Sequence, residues 1–195
     1  MSSGKPIGRP GPKCIYQLRV DLLHIEPRIW RTVLVPESLT LAKLDRVVQA
    51  AMGWTNSHLH HWRIDGRRYG APNPEWDSEG AMLEERKFTV GGALDQRVKE
   101  FAYEYDFGDG WEHRIVVEQQ LAREPERNTW PMCIAGANAC PPEDVGGPPG
   151  YMDFVQAMRS STHEDHSQMW QWHGGPFDPA AFSINDANRA IQRLR

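Results

Sequence analysis

The chain is short of cysteine, of net basic charge, of long apolar runs and of the signatures that hold nucleotides, and each shortage excludes something. Cys14, Cys133 and Cys140 are the three cysteines among 195 residues, too few and odd in number for a disulfide framework, so reduced thiols are expected. No apolar run approaches the roughly 18 to 20 residues that span a bilayer, and the opening MSSGKPIGRPGPK has no hydrophobic core of a secretory signal. A cytoplasmic protein with no membrane partner is expected. Lys and Arg number 22 against 26 Asp and Glu, a net charge of −4, which removes the global positive field of a non-specific nucleic-acid binder. There is no G-x-S-x-G elbow, no Walker loop and no dinucleotide fingerprint. Nothing beside Cys133 or Cys140 would lower a thiol pKa.

What is there suits one folded unit. Apolar residues make up only 39%, but eight tryptophans add large buriable area. Residues 1 to 13 hold three prolines, three glycines, Lys5, Arg9 and Lys13 with no acid; they read as a flexible basic arm ahead of a single domain over 14–195. Tyr16, Leu18, Val20 and Leu22 alternate with polar residues, and IWRTVLVP follows a bend, so residues 15 to 35 are expected to form a long hairpin. Thr40 is read as the N-cap of a helix carrying Leu41, Leu44, Val47, Val48, Ala51 and Met52 on one face, with Gly53 as its stop. HLHHWRIDGRRYG resumes alternation around an Asp65-Gly66 turn. Residues 70 to 87 are expected to be a surface loop. FAYEYDF and WEHRIVVEQQL are strand-like, residues 123 to 150 carry six prolines and four glycines and read as a long loop or flap, and two helices close the chain around Tyr151–Met158 and after Ser183. The fold class expected is α+β: an antiparallel or mixed sheet with a helix packed on one face, grasp-like or roll-like, with a long Pro/Gly loop and C-terminal helices.

The nine residues YDFGDGWEH, 105 to 113, concentrate chemistry in one turn. With Asp109-Gly110 as the centre of a type I′ turn, Asp106 falls opposite His113, about 5 Å away at Cβ, where a carboxylate would fix the imidazole tautomer and raise its basicity. A shifted register would bring Glu104 there instead. The alternative is a structural cross-strand pair. Asp106 and His113 are therefore the candidate catalytic pair, and Asp106, Asp109, Trp111, His113, Glu143, Asp144 and Tyr151 the candidate ligand-binding set. Glu143 and Asp144 enter because CPPEDVGGPPGY couples rigid prolines to glycines that permit close backbone approach ahead of a helix start. No cofactor is predicted. The residues kept for a metal are His113, Cys133 and Cys140, although six residues between the cysteines exceed the usual zinc spacing. His58 and His60 share a face by strand period, but share it with Trp62 and Ile64, and satisfied core-edge histidines are preferred. HEDHSQMWQWHGG reads as a polar surface linker.

YDFGDGWEH, CPPEDVGGPPGY and WHGGPFDPAAF, with YQLRVDL, IWRTVLVP and HLHHWRI in order before them, resemble the plasmid pRiA4b open-reading-frame-three-like family, a bacterial and archaeal group without an established activity. The resemblance runs from about Ile15 to the C-terminus. It implies a compact α+β fold and an association with insertion-element passenger proteins or resolvases. A serine resolvase places its nucleophile just after an N-terminal Arg-Val strand; here Arg19-Val20 is followed by Asp21, so resolvase activity does not carry over. The functional expectation is a non-enzymatic ligand- or partner-binding module associated with mobile elements, its site where the Asp106 hairpin meets the Glu143-Asp144 loop. The alternatives are a metal- or His-dependent hydrolase-like enzyme and a DNA-binding accessory protein using the basic arm.

Overall fold

The computed structural model describes residues 14–72, 82–95, 97–122 and 131–194; the basic arm expected over residues 1 to 13 lies outside them. Eight strands form one open sheet: β1 (Cys14–Leu22), β2 (Trp30–Pro36), β3 (His60–Ile64), β4 (Arg67–Gly70), β5 (Leu83–Glu84), β6 (Glu100–Tyr105), β7 (Trp111–Ala122) and β8 (Met132–Ala137). Their spatial order is β5-β4-β3-β6-β7-β1-β2-β8. All neighbours are antiparallel except β4 and β5. The sheet is mixed and the fold is α+β, as expected.

The first hairpin forms because alternation puts Tyr16, Leu18, Val20 and Leu22 on the core side. Its partner β2 pairs Tyr16 with Val35 and Leu18 with Val33. Helix α1 (Leu41–Met52) starts where Thr40 accepts the Lys43 amide at 3.3 Å and stops at left-handed Gly53. Its buried face, Leu41, Leu44, Val47, Val48, Ala51 and Met52, completes the core against the sheet. Burying each leucine, valine or methionine of this face contributes roughly 1.5 to 3 kcal/mol.

Several elements escaped the sequence pattern. The proline- and glycine-rich stretch 123 to 150, expected as loop, holds edge strand β8, whose small residues give no alternation to read. Its outer edge does not stay open: the Asn188 amide accepts from Cys133 N–H and donates to Cys133 C=O, both at 2.8 Å, imitating one rung of a further strand. The expected loop 70 to 87 contains β5 and a 3₁₀ turn, Glu85–Lys87, and is followed by the one-turn helix α2 (Val90–Ala93); residues 73–81 lie outside the described ones. The C-terminal helices are α3 (Gly147–Arg159), α4 (His166–His173) and α5 (Ile184–Gln192). Helix α4 occupies the segment expected as a polar linker, and it buries none of its residues, so no apolar stripe was there to announce it.

Candidate metal centre

The β6–β7 reversal is wider than a two-residue turn. The last rung joins Tyr105 to Trp111, leaving Asp106 to Gly110 as a five-residue loop. Asp106 and Gly110 both take left-handed φ, +56° and +68°. Asp106 Oδ1 accepts the amides of Gly108 at 3.0 Å and Asp109 at 3.4 Å. The Asp106 carbonyl accepts from Gly110 N–H at 2.6 Å. That side-chain capture of downstream amides starts the reversal at Asp106, ahead of Asp109-Gly110.

The consequence is a correction of register. His113 stands opposite Tyr103, and Glu104 stands opposite Glu112, so neither Asp106 nor Glu104 pairs with His113. His113 lies in the core with no exposed surface, its Nδ1 3.0 Å from the Trp111 carbonyl and its ring 5.4 Å from Trp54. Burial lowers its pKa to about 4, a neutral core histidine. Trp111 and Tyr151 are likewise buried.

Asp106, Asp109, Glu143 and Asp144 do come together. Asp109 Oδ2 accepts Gly146 N–H at 3.1 Å, so the carboxylate of the hairpin occupies the amide exposed just ahead of α3. Gly147 has φ +67°, and a Cβ there would collide with the Asp109 carbonyl, which is why a glycine must pass this point. Glu143 is held by four contacts: Oε1 accepts Thr55 N–H at 2.8 Å, Thr55 Oγ1–H at 3.0 Å and the Tyr105 hydroxyl at 3.0 Å, and Oε2 lies 3.1 Å from that same hydroxyl. Trp54 donates to the Pro141 carbonyl at 3.0 Å, fastening the same loop to the end of α1. Burial first, with Glu143 adding to it, raises the Tyr105 pKa, so its hydroxyl stays a donor.

The residue that turns this meeting point into a site is His58, in the connection between α1 and β3. Its Nε2 lies 3.2 Å from Asp144 Oδ1, 3.6 Å from Asp106 Oδ2 and 3.9 Å from Glu143 Oε2. The atom is shielded from solvent yet makes no hydrogen bond. One ligand atom from each of His58, Asp106 and Asp144 falls within 4.8 Å of the other two. Metal–ligand bonds of about 2.0 to 2.2 Å in a tetrahedron place neighbouring donors roughly 3.4 Å apart, and the separations of His58 Nε2 from Asp144 and Asp106, 3.2 and 3.6 Å, bracket that value. Among the described residues this is the grouping fit for a metal; Cys133 and Cys140 take no part. Cys133 Sγ donates to Ala135 O at 3.4 Å, and burial raises the pKa of both thiols.

His60 has a different fate. Its ring sits between Asp45 Oδ1, 3.4 Å from Nδ1, and Glu85 Oε2, 3.0 Å from Nε2. Tyr103 donates to Asp45 at 2.6 Å and Trp62 Nε1 to Glu85 at 3.1 Å. Burial opposes the charged imidazole, but the Glu85 hydrogen bond and both carboxylate charges outweigh it and raise the His60 pKa. This is a satisfied core-edge histidine. His58 was missed because strand period put it beside His60; β3 begins only at His60.

The molecule is thus an α+β protein on an open mixed sheet, with a histidine–carboxylate cluster where the β6–β7 loop meets the segment before α3. It belongs to the Plasmid pRiA4b ORF-3-like protein family, whose profile matches residues 14–186. The uncharacterized protein y4hQ of Sinorhizobium fredii (strain NBRC 101917 / NGR234) is 40% identical over 181 residues, 92% of each chain. The crystal structure of a protein of unknown function, MM3350, from Methanosarcina mazei Go1 superimposes with a TM-score of 0.81 at 32% identity, covering 90% of this chain and 98% of that one. Among the described residues no helix is long and apolar enough to cross a membrane.

Proposed function

We propose that this chain is a binding module whose ligand is a divalent cation held by His58, Asp106 and Asp144. The observation that carries the reading is His58 Nε2, shielded from water, without a hydrogen bond, and surrounded by carboxylate oxygens at 3.2, 3.6 and 3.9 Å. A buried polar atom left unbonded costs stability, and a cation at the centre of these oxygens gives it a partner while offsetting the crowding of the acids. One imidazole with carboxylates suits Zn²⁺, Mn²⁺ or Fe²⁺ better than Ca²⁺, which takes oxygen ligands.

The test is equilibrium dialysis of chelator-stripped protein against Zn²⁺ and Mn²⁺, with metal counted per chain. One equivalent is expected, lost in His58→Ala and in Asp106→Asn. The asparagine keeps an oxygen to cap the turn while removing the charge. Retention of metal by both folded variants, or no metal in the parent chain, overturns the reading.

One feature of the site favours a second reading, a metal-dependent hydrolase. Three protein ligands would leave a position for water, as in catalytic zinc sites, and Glu143, held by Thr55 and Tyr105 outside the three with its Oε2 3.9 Å from His58 Nε2, would be the carboxylate to serve as its base. Turnover of an activated ester or phosphodiester by metal-loaded protein, abolished in Glu143→Gln with metal retained, would establish it. The association with mobile elements rests on the plasmid in the family's description and says nothing of the ligand.

A further inference from the structure

We infer that the groove between α3 and α4 binds a small organic cation with an apolar body. The groove encloses about 390 Å³, within the range of small-molecule sites. Its lining combines Phe154, Met169 and Trp172 with Asp144, Asp153 and Asp165, and holds no lysine or arginine. Trp172 is 47% exposed and meets the Phe154 ring edge-on at 5.7 Å, so the indole is oriented yet open.

The aromatic and acidic parts of the lining select for the same kind of molecule. An aromatic face attracts a cation through its quadrupole, most strongly for tryptophan, and a lining with three aspartates and no lysine or arginine favours positive charge over negative, although Asp144 and Asp165 already lie beside His58 and His163. A neutral apolar ligand gains nothing from the acids, and an inorganic cation leaves the exposed indole of Trp172 without a partner. An ammonium group on a hydrocarbon or aryl body satisfies both. The condition of α4 fits this: it buries none of its eight residues although it carries two tryptophans, so a ligand lodged against α3 would add the packing that the helix lacks. The groove shares Asp144 with the metal centre but does not rest on that reading.

Calorimetric titration of chelator-stripped protein tests it with three probes: 2-phenylethylamine, its neutral counterpart 2-phenylethanol, and methylammonium. The first is expected to bind at least about tenfold tighter than either of the others, since only it engages both the indole and the carboxylates. Asp153→Asn combined with Asp165→Asn should weaken it about tenfold, Trp172→Ala about fivefold or more, and the remote Asp95→Asn should leave it unchanged. Equal affinity for amine and alcohol, or wild-type affinity in both groove variants, overturns the inference. Because the protein is stripped of metal, failure here is read separately from failure of the metal centre, which dialysis reports.

Discussion

Two histidines two residues apart meet two acid clusters with opposite outcomes. His60 is enclosed by Asp45 and Glu85, each of its nitrogens faced by a carboxylate, with Tyr103 and Trp62 donating to the same acids. His58 faces three acids, one more, yet its Nε2 forms no hydrogen bond, and Asp144 is 73% exposed. Composition does not distinguish the two; saturation does. A buried charged group whose partners are all in place holds the sheet to α1, whereas an under-bonded imidazole at an open edge leaves room for something from solution.

The largest effect is expected in the sealed cluster. Asp45, 2% exposed, is a partner of both His60 and the Tyr103 hydroxyl; Asp45→Ala removes it and should cost about 3 to 5 kcal/mol, read by urea denaturation at pH 7. A loss under about 1 kcal/mol would make the two clusters energetically alike.

Next comes the acid sensitivity of His113. Its folded pKa of about 4 lies below its ordinary value of 6.5, so between those values the unfolded chain takes up a proton that the folded chain refuses. Stability is full above about pH 6.5 and falls as pH drops toward 4, by about 3 kcal/mol at 1.36 kcal/mol per unit. His60 acts oppositely: its raised pKa contributes stability that is present below 6.5 and lost as pH rises through the folded value. His113→Leu should flatten the acid slope by about one proton, as urea midpoints between pH 4 and 7 would show; an unchanged slope would mean that His113 does not carry it.

The open cluster gives a conditional effect. Metal at a hundredfold excess over Kd should add about 2.7 kcal/mol to unfolding, and His58→Ala should remove that gain while changing metal-free stability by less than about 1 kcal/mol. A variant equally destabilised with and without metal would move His58 into the same class as His60. The smallest effect is Tyr105→Phe, expected to cost about 1 kcal/mol for its hydrogen bond to Glu143, with metal still bound in dialysis.

The sheet was legible where side chains repeat with a backbone period. Alternation through Tyr16, Leu18 and Val20 and helical spacing through Leu41, Leu44 and Val48 both mark faces that must be buried. Where no face is buried, as in α4, or where residues are small, as in β8, periodicity has nothing to report. The site was half legible: Asp106, Asp109, Glu143 and Asp144 stand out as acids among glycines and prolines, and they do converge. Their histidine differs from the expected one because the Asp106 carboxylate captures the Gly108 amide and displaces the turn, so that Tyr103, three residues before Asp106, stands opposite His113.

The sequence by itself determined the α+β class, the capped helix α1, and an acid-rich chain reversal between two strands, because those depend on interactions within a few residues or on one repeating face. Only the tertiary structure decided that His58 enters the carboxylates while His113 is sealed against Tyr103 and Trp54. That choice is made by contacts between segments far apart in the chain, whose geometry exists only once the sheet has closed over its core.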